Sequence, residues 1–244
     1  MIEKGPLLKS RGCIFRFINS EHMKIHIVIT AILGSLVLNS QPSKDMQKDL
    51  FDHLKTNALL LNDSGLIQDA SETKAFISRI ASERTYKKDF SIAVNAQLDY
   101  ELGEIQTSSK TYAVMFLKTT GDDHGPQIEF LNIHEKLNPE DERAAIDSAR
   151  QQWMKLCNAH QAKQLVEQVY QPDAYYFNRG RLIQGTKALS SEYGYMDSPN
   201  YSLKLTPKHM AFVSSDIAYE IGQCSGSYPL PYLLVWKNRK MGIG

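Results

Sequence analysis

Tyr100-Glu101-Leu102-Gly103 returns later in the chain as Tyr219-Glu220-Ile221-Gly222. This pair decides the fold because it does not stand alone. Upstream, Ala58-Leu59-Leu60-Leu61-Asn62 precedes Gly65-Leu66-Ile67-Gln68. In the same way Ala174-Tyr175-Tyr176-Phe177-Asn178 precedes Gly180-Arg181-Leu182-Ile183-Gln184. Both blocks run into Thr-Lys-Ala, at Thr73-Lys74-Ala75 and Thr186-Lys187-Ala188. Downstream, each copy carries an apolar strand ending in lysine, Tyr112 to Lys118 and Tyr232 to Lys237. One match arises by chance. Three in the same order and at similar spacing mark an internal duplication.

The copies meet near Lys136-Leu137-Asn138-Pro139, where Asn-Pro punctuates the chain. The acidic cluster Glu140, Asp141 and Glu142 then suits a helix N-terminus. Ile146, Ala149, Trp153, Leu156 and Cys157 recur at helical spacing and predict an amphipathic helix. Leu165, Val166, Val169 and Tyr170 predict a second, ended by Pro172. Strands follow over Tyr175 to Phe177, Leu203 to Leu205, His209 to Val213, Ile217 to Gly222 and Tyr232 to Trp236, several alternating with period two. Helices first and strands after is an α+β pattern, with helices laid on one face of a curved antiparallel sheet. After Trp236 the second copy lacks a segment equivalent to Gln127 to Ile133, so its sheet is expected to be one strand short. Its exposed edge would then need a cover or a partner.

Bulk composition narrows the classes. Hydrophobic residues at 42% and charged residues at 23% exclude a disordered or fibrous chain. A net charge of +1 over 244 residues gives no electrostatic case for nucleic acid. Lys24 and His26 precede an apolar run from Ile27 to Leu38, too short to span a bilayer. A basic flank, a short apolar core and Asn39-Ser40-Gln41 predict a secretory signal over 23–40, with 1–22 as an over-called extension. The expected product is exported, periplasmic or secreted, without stable membrane insertion once the signal is cleaved. The expected domains are 41–136, a degenerate copy, and 137–244, the copy lacking its last strand. Cys157 and Cys224 show no metal-like spacing, and no HxH or HExxH occurs, so neither a metal nor another cofactor is expected.

One family shares this order of residues. Trp153, then Tyr170-Gln171-Pro172-Asp173-Ala174, Gly185, Leu205-Thr206-Pro207, Ser215 to Gly222 and Tyr232 to Lys237 resemble the nuclear transport factor 2-like superfamily, in its SnoaL-like and ketosteroid-isomerase-like branch. The resemblance covers most of 140–244, and more weakly 45–136. It departs at His160-Gln161, where the family has Gly-Asp, and at the missing strand. It implies two cone-shaped domains, a pocket at the wide end of each, and frequent homodimers through the sheet. Its members include isomerases, cyclases, dehydratases and non-catalytic binding modules, so the fold leaves the function open.

Acid–base chemistry in such a cone needs an inward carboxylate or imidazole and a hydroxyl donor. If register holds through Pro207, His209 shares parity with Leu203 and Leu205 and points inward as a candidate base. Tyr176 or Tyr219 would be the donor. Tyr219 also fits as a packed core residue, a role favoured by its recurrence as Tyr100. Trp153, Tyr193, Tyr195, Tyr232 and Trp236 are candidates for lining a pocket for a flat apolar molecule, or for plain core packing. The expected activity is binding of a small apolar molecule or a protein partner. The alternatives are a cofactor-free isomerase, cyclase or dehydratase, and a structural dimerisation module.

Overall fold

The computed structural model describes residues 23–30, 54–80, 85–119, 127–178 and 180–238. The sequence alternation becomes two six-stranded sheets. The first carries β2 (Leu54–Asn62), β3 (Gly65–Ile67), β4 (Thr85–Asn95), β5 (Leu98–Gln106), β6 (Thr111–Thr119) and β7 (Gln127–Glu135), with α1 (Ala70–Ile80) after β3. The second carries β8 (Tyr170–Asn178), β9 (Arg181–Gln184), β10 (Leu203–Phe212), β11 (Ile217–Gly226), β12 (Pro231–Asn238) and one strand from elsewhere. Helices α2 (Arg143–Asn158), α3 (Ala162–Val169) and α4 (Thr186–Glu192) and the 3-10 turn Tyr193–Asp197 accompany it. The fold is α+β, built twice.

The borrowed strand is β1 (Met23–Thr30). The orders are β3-β2-β7-β6-β5-β4 and β9-β8-β1-β12-β11-β10, so β1 stands where β7 stands in the other sheet. It runs antiparallel to β12 and parallel to β8. Two expectations are corrected here. The second sheet is not one strand short: its missing strand comes from the N-terminal side of the chain. Each sheet is also mixed rather than antiparallel, with one parallel pair, β1 with β8 and β2 with β7. Met23–Thr30 overlaps the segment assigned to a signal. The remainder of 23–40 and all of 1–22 lie outside the described residues.

Among the described residues, three apolar clusters form the cores. In the second unit, Ile146, Trp153, Leu156, Leu165, Val166 and Val169 from α2 and α3 pack on Leu203, Leu205, Ala218, Leu234 and Trp236. In the first, Leu60, Tyr86, Ile105, Phe116 and Leu131 form a smaller cluster. The third lies between the sheets: Tyr100, Leu102, Met115 and Phe130 meet Phe177, Tyr219, Ile221, Leu233 and Val235. Each sheet is therefore covered on both faces. That explains the near-continuous burial of β6, β11 and β12, where a half-exposed strand would alternate.

His160 resolves one departure from the family pattern. Its φ is 59°, in the left-handed region where glycine is the usual residue after a helix. Its amide bonds Cys157 O at 3.0 Å and its Nδ1 lies 3.1 Å from Met196 O, so its side chain helps hold a conformation that favours glycine.

Candidate functional site

Between α2, the 3-10 turn and strands β10 to β12, the second unit holds a narrow aromatic cleft. Its enclosed space is about 40 Å³, and about 550 Å³ only when the open mouth and solvent are counted in. Trp153 on α2, Tyr170 at the start of β8, Tyr193 and Tyr195 on the 3-10 turn, Tyr201, Tyr228 and Tyr232 line it, with Met196, Leu203, Leu205, Cys224 and Leu234 between them. The chain folds this way because Trp153 and Cys157 fall on the buried stripe of α2, while Tyr232 and Leu234 share one face of β12. The rings pack edge-on or tilted, at 5.6 Å for Tyr170 and Tyr193, 5.5 Å for Tyr195 and Tyr201, and 5.8 Å for Tyr195 and Tyr228. Tyr195 is 41% exposed and forms the rim.

The inner wall is wired through hydroxyls. Trp153 Nε1 donates to Tyr170 Oη at 3.0 Å, and Tyr170 O–H donates to Tyr193 Oη at 2.8 Å. Burial raises both phenol pKa values, so these groups stay neutral donors. Burial also pushes the Cys157 and Cys224 thiols up to about 12. Both cysteines are free.

Beneath the cleft lies Glu220, with no exposed surface. Its Oε1 accepts from Arg150 Nε at 2.8 Å and from the Tyr232 hydroxyl at 2.6 Å. Its Oε2 accepts from Arg150 Nη2 at 2.7 Å and from Trp236 Nε1 at 2.8 Å. Burial opposes the Arg150 charge, but the Glu220 and Asp147 carboxylates outweigh it and raise its pKa. Four donors on two oxygens make this carboxylate a structural anchor, with nothing left over for a substrate proton.

The first unit repeats the device with other parts. Glu101 Oε1 accepts from the Tyr86 hydroxyl at 2.6 Å and Oε2 from Lys118 Nζ at 3.2 Å. Register equates Lys118 with Trp236: Tyr100 pairs Leu117 as Tyr219 pairs Val235. The sequence match that set Lys118 against Lys237 was therefore one residue off.

The structure places the other candidates as follows. Trp153, Tyr193, Tyr195 and Tyr232 line the cleft, and Tyr176 packs on Tyr193 at 5.3 Å just behind it. Trp236 lies deeper and serves Glu220. His209 does not point inward. A register shift between Pro207 and His209 reverses its parity and turns it toward the first unit, where Nε2 lies 2.7 Å from Asp89 Oδ2 and the ring stacks on Phe90 at 5.0 Å. Tyr219 also faces away from the cone, into the core between the sheets, with its hydroxyl 3.4 Å from Ala113 O. Sequence reasoning missed Tyr170, Tyr201 and Tyr228 as lining residues and Glu220 with Arg150 as the anchor. The recurrence of Glu101 and Glu220 was the available signal. Among the described residues no cluster of three or more His, Cys, Asp or Glu could hold a metal, and no helix is long and apolar enough to cross a membrane.

No family profile and no curated protein matches this chain. Solved structures do. The chain is similar to cystatin-like and NTF-2 like proteins. A cystatin-like-fold domain of unknown function from Nostoc punctiforme is 22% identical over 42% of this chain and 71% of its own, with a TM-score of 0.30. A ketosteroid isomerase-like protein from Erwinia carotovora atroseptica is 10% identical over 35% and 78%, with a TM-score of 0.28. An NTF-2 like protein of unknown function from Shewanella oneidensis is 10% identical over 34% and 78%, with a TM-score of 0.29.

Proposed function

We propose that the second unit binds a flat, apolar small molecule in its aromatic cleft and does not transform it. The observation that carries this is a wall of one tryptophan and six tyrosines above a carboxylate whose oxygens are fully engaged. Such a wall offers large apolar faces and a few hydroxyls, the usual makeup of a small-ligand site. The isomerase, cyclase or dehydratase alternative needs a base inside the cone. His209 and Tyr219 lie on the other side of the sheet, so neither supports it. Compartment is tied to the fate of residues 23–30: a chain that keeps them fills its own sheet, and a chain exported through them loses them.

The test is a fluorescence titration with pyrene or anilinonaphthalene sulfonate. The native chain should bind saturably. Tyr195→Ala combined with Tyr228→Ala should weaken binding by roughly tenfold, since each lost ring contact is worth about 0.5–1.5 kcal/mol. Unchanged affinity in the double variant defeats the proposal.

A further inference from the structure

β1 copies the register of β7 down to its irregularity. On β12, Ile25 pairs Trp236 and Ile27 pairs Val235, passing over His26. On β6, Ile128 pairs Lys118 and Phe130 pairs Leu117, passing over Glu129. The parallel side agrees. Ile25 and Ile27 face Tyr170 and Tyr175, and Ile128 and Phe130 face Leu54 and Leu59, the same jump in both sheets. The flanking strands thus dictate how an incoming strand sits. The connection does not dictate it: β7 follows its neighbour β6 directly in the chain, whereas β1 precedes β12 by nearly the whole sequence. Residues 31–53 separate β1 from β2, which belongs to the other sheet.

We infer that the slot between β8 and β12 is a receptor for an extended peptide strand, and that residues 23–30 of this chain are its occupant, held by pairing and side-chain burial rather than by the covalent chain. Main-chain pairing on both edges supplies affinity, and pockets for alternate side chains supply selectivity. Met23 (2% exposed) and Ile25 (0% exposed) are the anchors. Both enter the core that also holds Trp153, Tyr170 and Tyr232 of the cleft wall. The strand is therefore a removable backing for the cleft as well as a sheet member.

The experiment uses the full chain with a protease recognition sequence inserted between Ser40 and Gln41. After cutting, native size-exclusion and mass spectrometry should find the N-terminal piece still bound, one per protein. An excess of isotope-labelled synthetic peptide of residues 22–31 should replace it, at least tenfold better than the same peptide with Ile25→Lys. Loss of the piece on cutting, with no peptide uptake and an unchanged thermal midpoint, overturns the inference. Hydrogen exchange on the unaltered chain is the second measurement. The amides of residues 25–29 should be protected as well as those of β12, and fast exchange at those positions also overturns it. Neither readout depends on a cleft ligand, so this result stands or falls separately from the binding proposal.

Discussion

At the residue scale, buried polar groups set the sharpest expectations. Glu220 is held by Arg150, Tyr232 and Trp236 with no water-facing surface. Glu220→Ala leaves the buried Arg150 guanidinium with only Asp147 to pair with, and two further donors unpaired, and should cost about 3–5 kcal/mol, read from urea unfolding. His26 is the second case. It sits at the β1 bulge with Nδ1 buried and without a hydrogen-bond partner among the described residues. Burial first, then the Lys237 charge and His134, hold its pKa down at about 4 against the opposing pull of Asp173. The unfolded chain takes up that proton near pH 6.5, the folded chain only near 4. Stability is thus intact above pH 6.5 and declines as pH falls toward 4, by about 3 kcal/mol in total. His26→Gln should flatten the urea midpoint across that window; an equal slope in both proteins refutes the assignment. The repeated Glu was readable in the sequence. Its partners were not, because Arg150 sits 70 positions away on a helix face that reads as apolar.

At the scale of elements, the Gly after each repeated Glu has a physical task. A Cβ on Gly222 would lie 2.2 Å from the Tyr232 ring, and one on Gly103 would lie 2.5 Å from the Tyr86 ring. The glycine lets a tyrosine cross the strand and reach the carboxylate two residues before it. The first sheet brings that tyrosine from β4 and the second from β12, so one backbone gap serves two neighbours. Gly222→Ala and Gly103→Ala should each destabilise by about 1–3 kcal/mol through overpacking. Thermal unfolding checks this, and an unshifted midpoint in either variant removes the explanation. Strand β10 shows the limit of period-two reasoning. One bulge at Pro207 reversed the parity of everything after it and carried His209 to the opposite face.

At the scale of the molecule, the outer faces of the two sheets are buried against each other. Those apolar faces are thereby used within one chain and leave no open sheet face between the units. The protein should sediment as a monomer and unfold in one transition. Its two tryptophans, Trp153 and Trp236, both lie in the second unit and report on that unit alone, whereas far-UV circular dichroism reports on both. The two signals should coincide; separated midpoints would show that the shared core does not couple the units. The duplication, the α+β class and the amphipathic α2 were determined by the sequence alone. They rest on local periodicity and on repetition, which neighbours in the chain are enough to express. Which face of each strand is interior, that β1 completes the distant sheet, and that Glu220 is an anchor rather than a base were decided only by tertiary structure. Both sheet faces are apolar, and the pairings join residues 70 to more than 200 positions apart, so no local pattern could record them.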